Sequence, residues 1–140
     1  MDSKWVKLFL RLAISSGFLS AVADRFGWWG KEVSAWGNWD NFLEYTGVLN
    51  TWFPESMIPF MGTMATLAEI VFAIALIIGF KTELFAKLSG VLLLIFALSM
   101  AISIGIKAPF DYSVFIASAA AFSLSLMKEK HYELDNLISN

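Results

Sequence analysis

Few residues in this chain are equipped for chemistry. Arg11 and Glu69 each stand inside an otherwise apolar run. An ionisable side chain in such a run pairs with another, binds a ligand or relays a proton. Asp24, Arg25, Lys107, Asp111 and Tyr112 form a second set, at the edges of apolar runs. They serve either as helix caps with surface ion pairs or as a polar mouth for a ligand's oxygens or a partner. Trp28, Trp36 and Trp39 belong to a segment holding five of the six tryptophans. There is no Cys, so disulfides, thiol catalysis and thiolate metal sites are excluded. The single histidine, His131, lies in the polar C-terminal stretch, which excludes bis-His haem and a Ser-His-Asp triad. No GxGxxG, P-loop, HExxH or nucleophile elbow occurs. No catalytic residue and no metal ligand is assigned, and no cofactor is required by the sequence.

These residues are carried by a chain built for lipid. Of its 140 residues 58% are hydrophobic and 16% charged, against about 45–50% and about 25% in soluble domains. One small core cannot absorb that surplus. A net charge of −2 speaks against a nucleic-acid partner, which needs clustered cations. A bilayer core takes about 20 helical residues, and the apolar runs predict four spans near residues 5–24, 58–79, 84–106 and 110–128. Ala21-Val22-Ala23 resembles a signal-peptide cleavage site behind Lys4, Lys7 and Arg11. Ser15, Ser16 and Gly17 break the apolar run, which favours a retained first helix. Residues 1–140 thus read as a single all-α membrane domain, a four-helix bundle with an outer loop over 26–57 and a tail over 129–140. Lys4, Lys7, Lys81, Lys87, Lys128 and Lys130 gather on one side, so the positive-inside rule places both termini in the cytoplasm.

Within the outer loop, Trp39, Phe42, Leu43, Leu49, Trp52 and Phe53 recur at helical spacing behind the N-cap candidate Asn38. That predicts an amphipathic interfacial helix from Asn38 to about Trp52. Its indoles form either a boundary belt or a lid, with Trp28, Trp36 and Trp39, over a pocket for a flat lipid-soluble ligand such as a quinone. Arg11 lies six residues past Trp5 and Glu69 ten before Gly79, about 9 Å and about 15 Å from the same side. The two are therefore expected to pair. Whether that pair is structural or ligand-binding stays open. Small residues at Ser15, Ser16, Gly17, Ser20, Ser99 and Ser103, and at Ser113, Ala117, Ala121 and Ser125, mark helix-packing faces.

Leu10-Arg11-Leu12-Ala13 with Gly17-Phe18-Leu19, Glu69 followed by Gly79-Phe80-Lys81-Thr82, and Lys107 to Phe115 resemble, in that order, the helix patterns of DoxX-like membrane proteins. The resemblance covers about Leu8 to Met127. It implies a four-helix bundle in a bacterial cytoplasmic (inner) membrane. It also implies association with membrane redox systems, since relatives include a subunit of a thiosulfate:quinone oxidoreductase. The expected function is a non-catalytic subunit or assembly factor of a membrane complex. A quinone- or lipid-binding component of an oxidoreductase is the first alternative, and small-molecule transport by a homo-oligomer the second. The expected partners are membrane lipid and a membrane or redox protein.

Overall fold

A computed structural model describes residues 2–138. Among these there is no strand. Three helices, α1 (Ser3–Arg25), α3 (Ile58–Ile78) and α4 (Thr82–Ile104), are long and apolar enough to span a membrane. Between the first two lies α2 (Trp39–Leu49), followed by a 3-10 turn over Glu55–Met57. After α4 come α5 (Lys107–Asp111), α6 (Val114–Ser125) and α7 (Asp135–Ile138). The bounds of α1, α3 and α4 agree within two residues at each end with the first three segments expected from the sequence.

The burial pattern of the long helices is that of lipid-facing elements. On α1 the buried face includes Lys7, Arg11, Ile14, Ser15, Phe18, Val22 and Arg25. On α3 it includes Gly62, Thr66, Glu69, Ala73 and Leu76, and on α4 Thr82, Ala86, Ser89, Gly90, Ala97 and Met100. Small and polar side chains face inward. Large apolar ones such as Phe60, Leu67, Ile74, Ile95 and Ile102 face outward. Water would favour the reverse; hydrocarbon permits this arrangement and rewards close backbone approach.

Contacts close into a ring in which α1 packs on α3, α3 on α4, α4 on α6 and α6 on α1. Ser15 Oγ donates to Ala73 O across α1–α3, and Ser118 Oγ to Gly90 O across α4–α6. Phe122 lies against Gly90, where an added Cβ would sit 2.9 Å from its ring. The inward face of α6 is thus Ser118, Ala121 and Leu124, which shares Ala121 with the small-residue stripe seen in the sequence but has Ser118 and Leu124 in place of Ala117 and Ser125.

The expected fourth span over 110–128 is replaced by two pieces. Gly105 (φ 99) ends α4, and Ser113, with φ 56, separates α5 from α6. The 12 residues of α6 rise only about 18 Å, short of the about 30 Å that a span needs. The loop helix α2 packs on α3, α4 and α1, with Leu43 and Phe42 against Gly62 and with Leu49 O accepting from Ser103 Oγ at 2.6 Å. Asn38 is its N-cap, as expected, accepting from Asn41 N at 2.8 Å.

The turn between α3 and α4 depends on Gly79, which takes φ 71 at the end of α3. A Cβ there would lie 2.5 Å from Glu133 Cα. Gly79→Ala should therefore lose more than the about 1–2 kcal/mol of a left-handed non-glycine residue, because backbone must also move. Thermal unfolding in detergent checks this, and an unchanged midpoint would refute the close packing at Gly79.

Candidate functional site

The buried charges occupy two places. The first centres on Glu69, eleven residues into α3 and 1% exposed. Its partner is Arg25, at the C-terminal end of α1. Arg25 Nη1 lies 2.5 Å from Glu69 Oε2, and Nη2 donates to Oε1 at 2.9 Å. The fork also donates to Thr66 Oγ1 at 2.7 Å, and Thr66 donates in turn to Gly62 O. Such a two-pronged arginine–carboxylate contact fixes geometry as well as charge. Phe42 covers the guanidinium with its ring 4.1 Å away, and Trp36 stands at 5.4 Å.

The neighbouring residue places that cover. Asp24 accepts hydrogen bonds from the backbone N–H groups of Ala35, Trp36 and Gly37, at 2.7, 3.0 and 2.8 Å. It thereby folds the loop back onto the end of α1. Trp36 packs edge-on to Phe42, and Trp39 stacks on Phe26. Trp28, by contrast, is 76% exposed. The aromatic cover therefore consists of Trp36 and Phe42, with Trp39 beside them and Trp28 outside. Tyr45 packs near Trp36.

The second place lies where the start of α1 meets residues 129–135. Arg11 is fully buried but does not touch Glu69, which corrects the expected pairing. Arg11 Nε donates to Leu76 O at 2.8 Å, Nη2 to Ile77 O at 2.9 Å and Nη1 to His131 O at 3.0 Å. The reason is directional. Helical side chains lean toward their own N-terminus, so Arg11 leans away from Glu69 while Arg25 leans toward it. Arg11 finds the last carbonyls of α3, which carry the negative end of that helix dipole. Leu134 N takes Ile78 O, and Phe80 N takes Ala75 O. All four terminal carbonyls of α3 are thus satisfied.

The expected tail over 129–140 supplies much of this. Glu133, 6% exposed, meets Lys7 Nζ at 2.7 Å and Arg11 Nη1 at 3.8 Å, and accepts from Thr82 Oγ1 at 3.3 Å. Asp135 caps α4 from a distance in sequence, accepting from Lys81 N at 2.6 Å and Thr82 N at 2.9 Å. Lys7 also donates to Glu129 O, and Ser3 Oγ donates to the Glu129 carboxylate, which holds that group below its usual range. His131 meets Trp5 edge-on at 4.9 Å. Residues 129–135 therefore form a docked clasp across α1, α3 and α4.

The expected polar mouth separates into unlike parts. Asp24 and Arg25 are buried and bonded as above, whereas Lys107 and Asp111 form an exposed pair at 2.6 Å and Tyr112 is exposed. Lys107 and Asp111 lie four residues apart on α5, so they find one another before either reaches α1. The sequence reading missed Thr66, Phe42, Lys7, Glu133 and Asp135. Lys7 carried a signal, because it shares a helix face with Arg11 and Arg25; Glu133 and Asp135 carried none. Among the described residues no group of three acidic or histidine side chains could hold a metal ion.

Comparison of the chain with protein-family models, with curated proteins and with solved structures returned no match.

Proposed function

We propose that the chain is a DoxX-like integral membrane protein whose helices form a four-helix bundle, and that it serves as a non-catalytic accessory subunit of a membrane complex. One observation carries this reading. The buried carboxylates at the two charged places are all closed on partners within the chain, Glu69 on Arg25, Asp24 on the N–H groups of Ala35 to Gly37, and Glu133 on Lys7 and Thr82. These charges then act as locks that set helix pairing, and the outward apolar faces with the loop's indoles are left for lipid and protein contact. In this reading the fourth crossing is composite, with α6 in one half and α2 and α5 completing the other. Purification in a mild detergent followed by mass spectrometry should recover a protein partner in fixed stoichiometry. Retained quinone without a protein partner would replace this reading with a quinone-binding one.

The same reading places both termini in the cytoplasm. The Lys and Arg asymmetry supports it, as does the meeting of Ser3, the α3–α4 turn and residues 129–135 at one end. In the Cys-free background, single cysteines at Ser3 and Ser34 should differ in labelling by an impermeant reagent added outside cells. Strong labelling at Ser34 and none at Ser3 is expected; equal labelling would end the topology.

A further inference from the structure

A groove of about 550 Å3 runs between α4 and α6 near the clasp, lined by Leu84, Phe122 and Leu126 with Glu83, Lys87 and Ser125. A second recess shares Glu83 and Leu84 with it and adds Lys81, Lys130 and Asp135. The groove exists because Phe122 is drawn onto Gly90, while Leu84 and Leu126 stand out on either side as exposed residues. It is a shallow groove open at the surface, and its walls are mostly apolar.

The charge along it is one-sided. Glu83 is held by Lys128 at 2.7 Å, and Asp135 is engaged by the N–H groups of Lys81 and Thr82. Lys87 has neither an ion pair nor a hydrogen bond among the described residues. It stands five residues into α4, about 7 Å along the helix, one turn beyond Glu83, whose carboxylate is taken by Lys128, with Leu84, Phe122 and Leu126 as the apolar part of the same groove. An ammonium so placed attracts an anion arriving with an apolar body, and lysines beside membrane helices attract anionic lipid.

We propose that this groove holds an acyl chain of an anionic phospholipid whose phosphate is bound by Lys87. The site rests on the membrane placement proposed above. It deepens that reading by naming the lipid class that the α4–α6 side selects.

The test uses the full chain purified in mild detergent, incubated with dioleoylphosphatidylglycerol or dioleoylphosphatidylcholine and examined by native mass spectrometry. Phosphatidylglycerol should be retained in preference to phosphatidylcholine. Lys87→Gln should weaken that retention about fivefold, the factor for one basic residue at a lipid surface. Leu126→Trp, which fills the groove without changing charge, should weaken it as well. Lys107→Gln, an exposed lysine on α5, should leave it unchanged. Equal retention of the two lipids, or of phosphatidylglycerol by the parent and Lys87→Gln, would overturn the proposal. Extraction of the protein from membranes by alkaline carbonate separates the two failures. Release would defeat the membrane reading, while firm retention without lipid preference would defeat the lipid site alone.

Discussion

Glu69→Leu and Arg25→Met, each made alone, are expected to destabilise the protein by about 3–5 kcal/mol, the loss seen when one partner of a buried ion pair is stranded. Glu69 is 1% exposed and Arg25 3%, and the guanidinium lies under Phe42, so water cannot readily take the place of a lost partner. The double variant Arg25→Met with Glu69→Leu should recover much of the loss, because an apolar replacement of a whole buried pair is often neutral or better. Denaturant unfolding in detergent micelles gives all four corners of the cycle. Additive losses would refute the lock. A second cycle, Arg11→Met with Glu69→Gln, should be additive within about 0.5 kcal/mol. Arg11 meets α3 at Leu76 and Ile77, seven and eight residues, or about 10–12 Å, from Glu69.

That contrast shows how far the sequence could be read. The three long helices were legible because a predominantly apolar run of about 20 residues has few other uses. The N-cap at Asn38 was legible because its chemistry is local. Burial of Arg11 and Glu69 followed from the price of a charge in hydrocarbon. Their partners did not follow, because distance along a helix was weighed and side-chain direction was not. Lys7, Arg11, Phe18, Val22 and Arg25 recur on one face of α1, as Gly62, Thr66, Glu69, Ala73 and Leu76 do on α3. A reading that took the small and polar stripe as the inner face would have set Arg25 above Glu69. The division of the fourth span at Ser113 had no such signal. Pro109 is compatible with a helix start, and the break makes sense only once α2 is seen packed against α3 and α4. Glu133 and Asp135 looked like part of a solvated tail because their partners lie more than fifty residues away in sequence.

A chain ending at Lys128 is expected to lose about 3 kcal/mol of stability, although every apolar helix of the core remains. The deletion removes Glu133, which neutralises Lys7 and faces Arg11. It also takes the backbone oxygens of Glu129 and His131 that accept from those same two cations. Lys7 and Arg11 are 2% and 0% exposed, so both would be left buried with a reduced set of acceptors. Loss of Asp135 uncaps α4, whose first residues have no other cap; an N-cap alone is worth about 1 kcal/mol. Water reaching this end of the molecule keeps the total toward the lower part of the about 3–5 kcal/mol range for a broken buried pair. Glu133→Gln should lose less than the truncation, since Asp135 and the backbone contacts remain. Hydrogen exchange localises the effect. The amides of Lys81 and Thr82, protected by Asp135 in the full chain, should exchange freely in the truncated one, while those in the middle of α3 stay protected. Unchanged stability together with unchanged exchange at Lys81 and Thr82 would mean that residues 129–138 hang loose. Arg11 would then hold the end of α3 alone.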